Sequence, residues 1–83
     1  MPGSAPILYT QTGCADSAKV RAWLRERDVP MIERNVTSDL AAAQELAATG
    51  IFATPLLVVG QHRVLGFRPE QLTAALANEG DRQ

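Results

Sequence analysis

Only two residues, Gly60 and Gln61, separate the wholly apolar run Leu56-Leu57-Val58-Val59 from the segment His62 to Gly66. A connection that short cannot cross a sheet, so the two segments pair antiparallel as a hairpin. The first half of the chain makes the opposite demand. Pro6 to Thr10 is a short strand-like run, and from Ala15 to about Asp28 helix formers dominate, with Val20, Trp23, Leu24 and Arg27 at three- and four-residue spacing. Met31 to Val36 then reads as a second strand with imperfect alternation. The intervening helix is a crossover long enough for parallel pairing. Together the two halves require a mixed sheet with helices on its faces, and the apolar run Leu56 to Val59 suits a central strand buried on both sides.

The remaining elements follow from their end signals. Val29-Pro30 is expected to close the first helix, because the residue before a proline is pushed out of the helical region. Thr37, Ser38 and Asp39 offer capping oxygens to an Ala-rich helix from Leu40 to Thr49, which Gly50 ends. Pro69 fits the first turn of a last helix in which Leu72, Ala75 and Leu76 share a face. The order β-α-β-α-β-β-α describes an α/β domain with a four-stranded mixed sheet and three helices. A chain of 83 residues has room for one such domain, with residues 1–5 and 80–83 expected as flexible ends.

Eight basic and nine acidic residues leave a net charge of −1, which gives no electrostatic case for nucleic acid or an anionic membrane. The Arg21, Arg25, Arg27 group alternates with Glu26 and Asp28 and reads as a solvated face. One cysteine cannot form an internal disulfide, and one Cys with one His does not make a protein-only metal site. The start lacks the pattern of a signal peptide, and no apolar run approaches the roughly 20 residues of a membrane span. The expectation is a cytoplasmic monomer in a reducing setting.

Cys14 stands where Thr10-Gln11-Thr12-Gly13 leads from the first strand into the helix near Ala15. The first amides of a helix have no partner inside it and carry a partial positive charge, which stabilises a thiolate. Ala15, Asp16 and Ser17 follow, so the site reads C-x-x-S, with a hydroxyl where a dithiol protein carries its second sulfur. This is the pattern of a one-thiol redox site. His62 lies at the far end of the third strand and is expected to be a surface turn residue rather than a base for Cys14.

Three features in this order resemble one family: strand-turn-Cys14-x-x-Ser17-helix, Ala53-Thr54-Pro55 about 40 residues downstream, and Val64-Leu65-Gly66-Phe67-Arg68-Pro69 after the hairpin. They resemble the glutaredoxins of the thioredoxin fold, and the Gly-Phe-Arg-Pro segment is similar to the NrdH-type redoxins that reduce ribonucleotide reductase. The resemblance implies a thioredoxin-like, glutaredoxin-type fold over roughly residues 6–79. It implies Cys14 as the nucleophile, supported by Ser17 and Gln11. It further implies a cis bond before Pro55, with Thr54 offering backbone hydrogen bonds to an extended thiol substrate. Gly66, Phe67 and Arg68 would meet the other end of that substrate.

The chain also departs from the family pattern. Glutathione-using members usually carry Gly-Gly followed closely by Asp where this chain has Leu65-Gly66-Phe67-Arg68, and often a lysine where it has Gln11. Asp16 adds a negative charge close to Cys14 and should oppose ionisation. The implied activity is monothiol reduction of mixed-disulfide proteins, with glutathione or another low-molecular-weight thiol as co-substrate and no tightly bound cofactor. A redox-weak binding module and a glutathione-dependent iron–sulfur cluster carrier are the alternatives.

Overall fold

The computed structural model describes residues 5–80. The expected flexible ends, 1–5 and 80–83, fall for the most part outside them. Seven elements run in the expected order: β1 (Ile7–Thr10), α1 (Ala15–Glu26), β2 (Ile32–Asn35), α2 (Leu40–Ala48), β3 (Leu56–Val59), β4 (His62–Leu65) and α3 (Pro69–Gly80). The sheet order is β2-β1-β3-β4. β1 pairs parallel with β2 and antiparallel with β3, and β3 pairs antiparallel with β4, with Val59 facing His62 across the Gly60-Gln61 turn. Gly60 has φ 59°, a conformation that L side chains resist and a tight hairpin needs.

Strand alternation divides the core between the two sides of the sheet. Leu8, Leu57, Val59 and Val64 pack against Val20, Trp23 and Leu24 of α1 and against Leu72 and Ala75 of α3. Tyr9 and Leu56 point the other way and meet Leu46 of α2. Leu8, Leu24 and Leu72 are wholly buried, and each contributes about 1.5–3 kcal/mol by leaving water. β3 is central and buried on both faces, as an unbroken apolar strand requires.

The imperfect alternation of β2 has a physical reason. It is an edge strand, and its two charged residues are tied to helices. Glu33 receives two hydrogen bonds from Arg21 of α1, at 2.9 and 2.6 Å, and one from the buried Thr10 hydroxyl at 2.8 Å. Arg34 donates to Glu45 of α2 at 3.0 and 2.6 Å and to Asp39 at 3.3 Å.

The arginine group is a solvated face in part: Arg25 and Arg27 are exposed with Glu26 and Asp28 between and beside them, and Arg21 is the member that departs from it. Arg21 is ion-paired and about a quarter exposed, and Arg27 lies over the Trp23 ring at 4.0 Å, where the ring's electron-rich face attracts the guanidinium. Only Arg25 of the three has no such partner among the described contacts.

The first helix also ends two residues before the expected stop. Asp28 takes a left-handed conformation (φ 54°), its N–H reaches the Arg25 carbonyl, and the Val29 N–H reaches the Leu24 carbonyl at 3.0 Å. This pattern closes a helix without proline, with Val29 packing onto the same core as Leu24. α2 stops at Ala48, one residue short of expectation. The Thr49 hydroxyl donates to the Leu46 carbonyl at 2.6 Å and accepts from the Ile51 N–H at 3.1 Å.

Candidate functional site

The loop that carries Cys14 is fixed from both ends. β1 delivers Thr10 into the core, and Gly13 then turns the chain with φ 80°. A side chain at Gly13 would meet nothing within 4 Å, so the backbone angle, not crowding, favours glycine here. The Cys14 N–H bonds the Gln11 carbonyl at 3.1 Å, and the Cys14 carbonyl accepts the first helical bond of α1 from Ala18. Cys14 is thus the residue at which α1 begins, extended in backbone and only partly exposed.

Asn35 and Thr37, for which no role at Cys14 is expected from sequence, hold this loop. The Thr12 N–H donates to the Thr37 hydroxyl at 3.0 Å, and the Asn35 amide donates to the Thr12 hydroxyl at 3.1 Å. Asn35 in turn accepts from the Thr37 N–H at 2.8 Å. Their only signal in sequence is polar residues at the end of β2, where Thr37 reads more simply as a capping candidate.

The segment before β3 reaches the sulfur. The Thr54–Pro55 bond is cis. Cys14 Sγ lies 4.0 Å from the Thr54 carbonyl oxygen and 3.9 Å from the Thr54 hydroxyl. Thr54 Oγ1 also donates to Gln11 Oε1 at 3.2 Å. Pro55 is fully buried, and its carbonyl accepts the Gly66 N–H at 2.8 Å, which draws Gly66 to the end of β3. Gln11, Cys14 and Thr54 therefore form one cluster, with Gly66 joined to it through Pro55.

Ser17 is buried below the cluster, and its hydroxyl accepts the Gln11 N–H at 3.4 Å. The thiol's pKa is lowered from its ordinary value, first by the Ser17 hydroxyl and then by the Ser17 amide. The Thr54 hydroxyl and the Asp16 amide act the same way, while partial burial opposes them. The amides act without closing a formal cap bond to the sulfur. Asp16 differs from its expected role: it acts on Cys14 through its N–H, and its exposed carboxylate faces Lys19 at 3.9 Å.

Phe67 and Arg68 follow Gly66 with different surroundings. Phe67 is half-buried and packs against the core on the α1–α3 side. Arg68 is exposed and folds its Nε onto the Leu65 carbonyl at 3.1 Å. A depression of about 440 Å³ lined by Arg68, Pro69, Glu70 and Gln71 opens at the start of α3, and Cys14 is not among its lining residues. His62 begins β4 opposite Val59, far along the sheet from Pro55. No three His, Cys, Asp or Glu side chains are gathered as a metal site among the described residues, and none of their helices is long and apolar enough to cross a membrane.

Comparison with known proteins agrees with this architecture. The glutaredoxin family model matches residues 7–64. The thioredoxin-like protein BC3987 superposes with a TM-score of 0.79 at 30% identity, covering 84% of this chain and 97% of that one. The NrdH-redoxin of Escherichia coli shares the fold, with a TM-score of 0.76 at 24% identity, covering 86% of this chain and 93% of that one. Over a shorter stretch of 39 residues the chain is 41% identical to the global transcriptional regulator Spx of Bacillus subtilis, which takes in 47% of this chain but only 30% of the regulator. With the family model spanning β1 to β4 and Cys14 at the start of α1, the chain belongs to the glutaredoxin family, within the thioredoxin fold.

Proposed function

We propose that this protein is a monothiol oxidoreductase that reduces mixed disulfides through Cys14. The observation that carries the reading is the placement of one sulfur at the uncapped start of α1, with a buried hydroxyl at Ser17 and the Thr54 edge 3.9–4.0 Å away. The helix amides and the Ser17 hydroxyl favour the thiolate, the form that attacks disulfides. Cys14 S⁻ attacks the small-thiol sulfur of a protein mixed disulfide. The Cys14–S bond to that small thiol forms, the protein's S–S bond breaks, and the protein leaves as a thiolate that takes a proton from water. Ser17 cannot attack the resulting mixed disulfide. A second small thiol, as its thiolate, therefore displaces Cys14, and the two small thiols leave joined as their own disulfide.

Glutathione, or another low-molecular-weight thiol, supplies both equivalents, and no tightly bound cofactor enters the cycle. A buckwheat glutaredoxin with the same fold is known as a glutathione complex, with a TM-score of 0.66 at 19% identity over 94% of this chain and 81% of that one. That likeness supports a low-molecular-weight thiol as the class of co-substrate. The protein substrates, a monomeric state and a cytoplasmic setting belong to the same proposal.

The test is turnover of a glutathionylated peptide in excess glutathione, with the native chain and Cys14→Ser side by side. Release of peptide by the native chain alone supports the proposal. Binding of the peptide without release by either chain would contradict it and leave the redox-weak binding module in its place.

A further inference from the structure

The cluster around Cys14 contains two hydroxyls, and they are not equally free to serve the sulfur. The Ser17 oxygen accepts the Gln11 backbone N–H at 3.4 Å, so its own proton remains available to the sulfur. The Thr54 hydroxyl lies between two acceptors, Gln11 Oε1 at 3.2 Å and Cys14 Sγ at 3.9 Å. A hydroxyl has one proton to donate. We infer that Gln11 restrains the reactivity of Cys14 by competing with the sulfur for the single hydroxyl proton of Thr54. The inference rests on Cys14 acting as a thiolate, and it makes Gln11 a positioning residue that works through Thr54.

Geometry and charge set the direction. With a neutral thiol, the amide oxygen is closer and is the better acceptor, while the S–H can donate to the Thr54 carbonyl at 4.0 Å. Loss of the thiol proton removes that donor and creates a charged acceptor, and hydrogen bonds to charged acceptors are about twice as strong as neutral ones. The Thr54 hydroxyl then swings to the sulfur and releases Gln11, so the bond to Gln11 is lost each time the thiolate forms.

The nearby charges leave room for this effect. On α1, Asp16 and Lys19 face each other. The loop residues Gln11 to Gly13 and the segment from Ile51 to Thr54 carry no ionisable side chain. Arg68 is engaged with the Leu65 carbonyl. A single residue thus meets both hydroxyls: its backbone N–H donates to the Ser17 oxygen and leaves the Ser17 proton free for the sulfur, and its side chain draws the Thr54 proton away.

The test is the iodoacetamide alkylation rate of Cys14 at neutral pH in the native chain, Gln11→Met, Thr54→Val and the double variant, with folding checked by circular dichroism. Methionine keeps the backbone and approximate size of glutamine but removes the acceptor. Gln11→Met should alkylate about threefold faster, the gain expected when one modest hydrogen bond no longer competes. Thr54→Val should be slower than the native chain, and adding Gln11→Met to it should change nothing. Thr54→Ser, which keeps a hydroxyl, should restore the acceleration.

Equal acceleration with and without the Thr54→Val change would overturn the inference, as would slowing by Gln11→Met alone. The peptide-release assay separates this inference from the oxidoreductase reading. The non-additive pattern without turnover supports the proton competition and counts against turnover as the function.

Discussion

The two helices that follow β1 and β2 both begin from an extended residue, with different chemistry. Asp39 (φ −132°, ψ 108°) starts α2, and its carboxylate accepts from the Ala41 and Ala42 amides at 3.0 and 3.4 Å. Cys14 (φ −87°, ψ 114°) starts α1, and its side chain closes no cap bond. In α2 the free amides are consumed by structure. In α1 they remain available to act on a sulfur, which gives up part of the usual capping stabilisation to keep a reactive group at the helix start. On the proposed function, the start of α1 forgoes a good cap to hold a thiol where the start of α2 holds a carboxylate.

The sharpest way to break this comparison is Cys14→Ser. It should abolish alkylation and peptide release altogether while raising stability by about 0.5–1 kcal/mol, because serine is a strong capping residue. Denaturant midpoints check the second half, and a destabilised variant would mean that the two helix starts are not equivalent. Ser17→Ala removes the group with the largest lowering effect on the thiol and leaves the Gln11 N–H without its acceptor. Alkylation at neutral pH should slow by about fivefold, on the scale of one lost hydrogen bond to a charged sulfur.

Asp39→Ala gives the reciprocal result: about 1 kcal/mol of stability lost, measured by thermal unfolding, with the alkylation rate of Cys14 unchanged. The smallest effect concerns acid. The Arg21 hydrogen bonds, aided by the Thr10 hydroxyl and opposed by burial, hold the Glu33 carboxyl below its ordinary pKa. A group depressed in the folded state stabilises fully above its unfolded pKa and loses that contribution as pH falls through its folded value. Stability should therefore decline below the ordinary carboxylate range, and Glu33→Gln should flatten the decline in acid unfolding curves.

Much of this fold is legible in the sequence because its constraints are local. A two-residue connection after Val59 permits only a hairpin, and a helix between β1 and β2 permits parallel pairing. Cys14 and Thr54-Pro55 are visible as sequence signals, and the cis bond and the sulfur's nearness to Thr54 agree with what the family resemblance implies. Less legible are side-chain choices that depend on distant partners. The left-handed end of α1 at Asp28 is hidden behind a proline that offers a simpler stop. The pairing of Arg21 with Glu33 looks like surface charge until β2 is laid beside α1. The Asp16 residue shows the same limit at the site: its charge is plain in sequence, but its orientation toward Lys19 and the aim of its amide belong to the folded loop.

The central claim is that the uncapped start of α1 makes Cys14 a thiolate-forming nucleophile. The alkylation rate of Cys14 as a function of pH tests it most directly. A midpoint below the ordinary range for a cysteine thiol is expected, because the Ser17 hydroxyl and the α1 amides act on the sulfur. A midpoint at or above that range would contradict it.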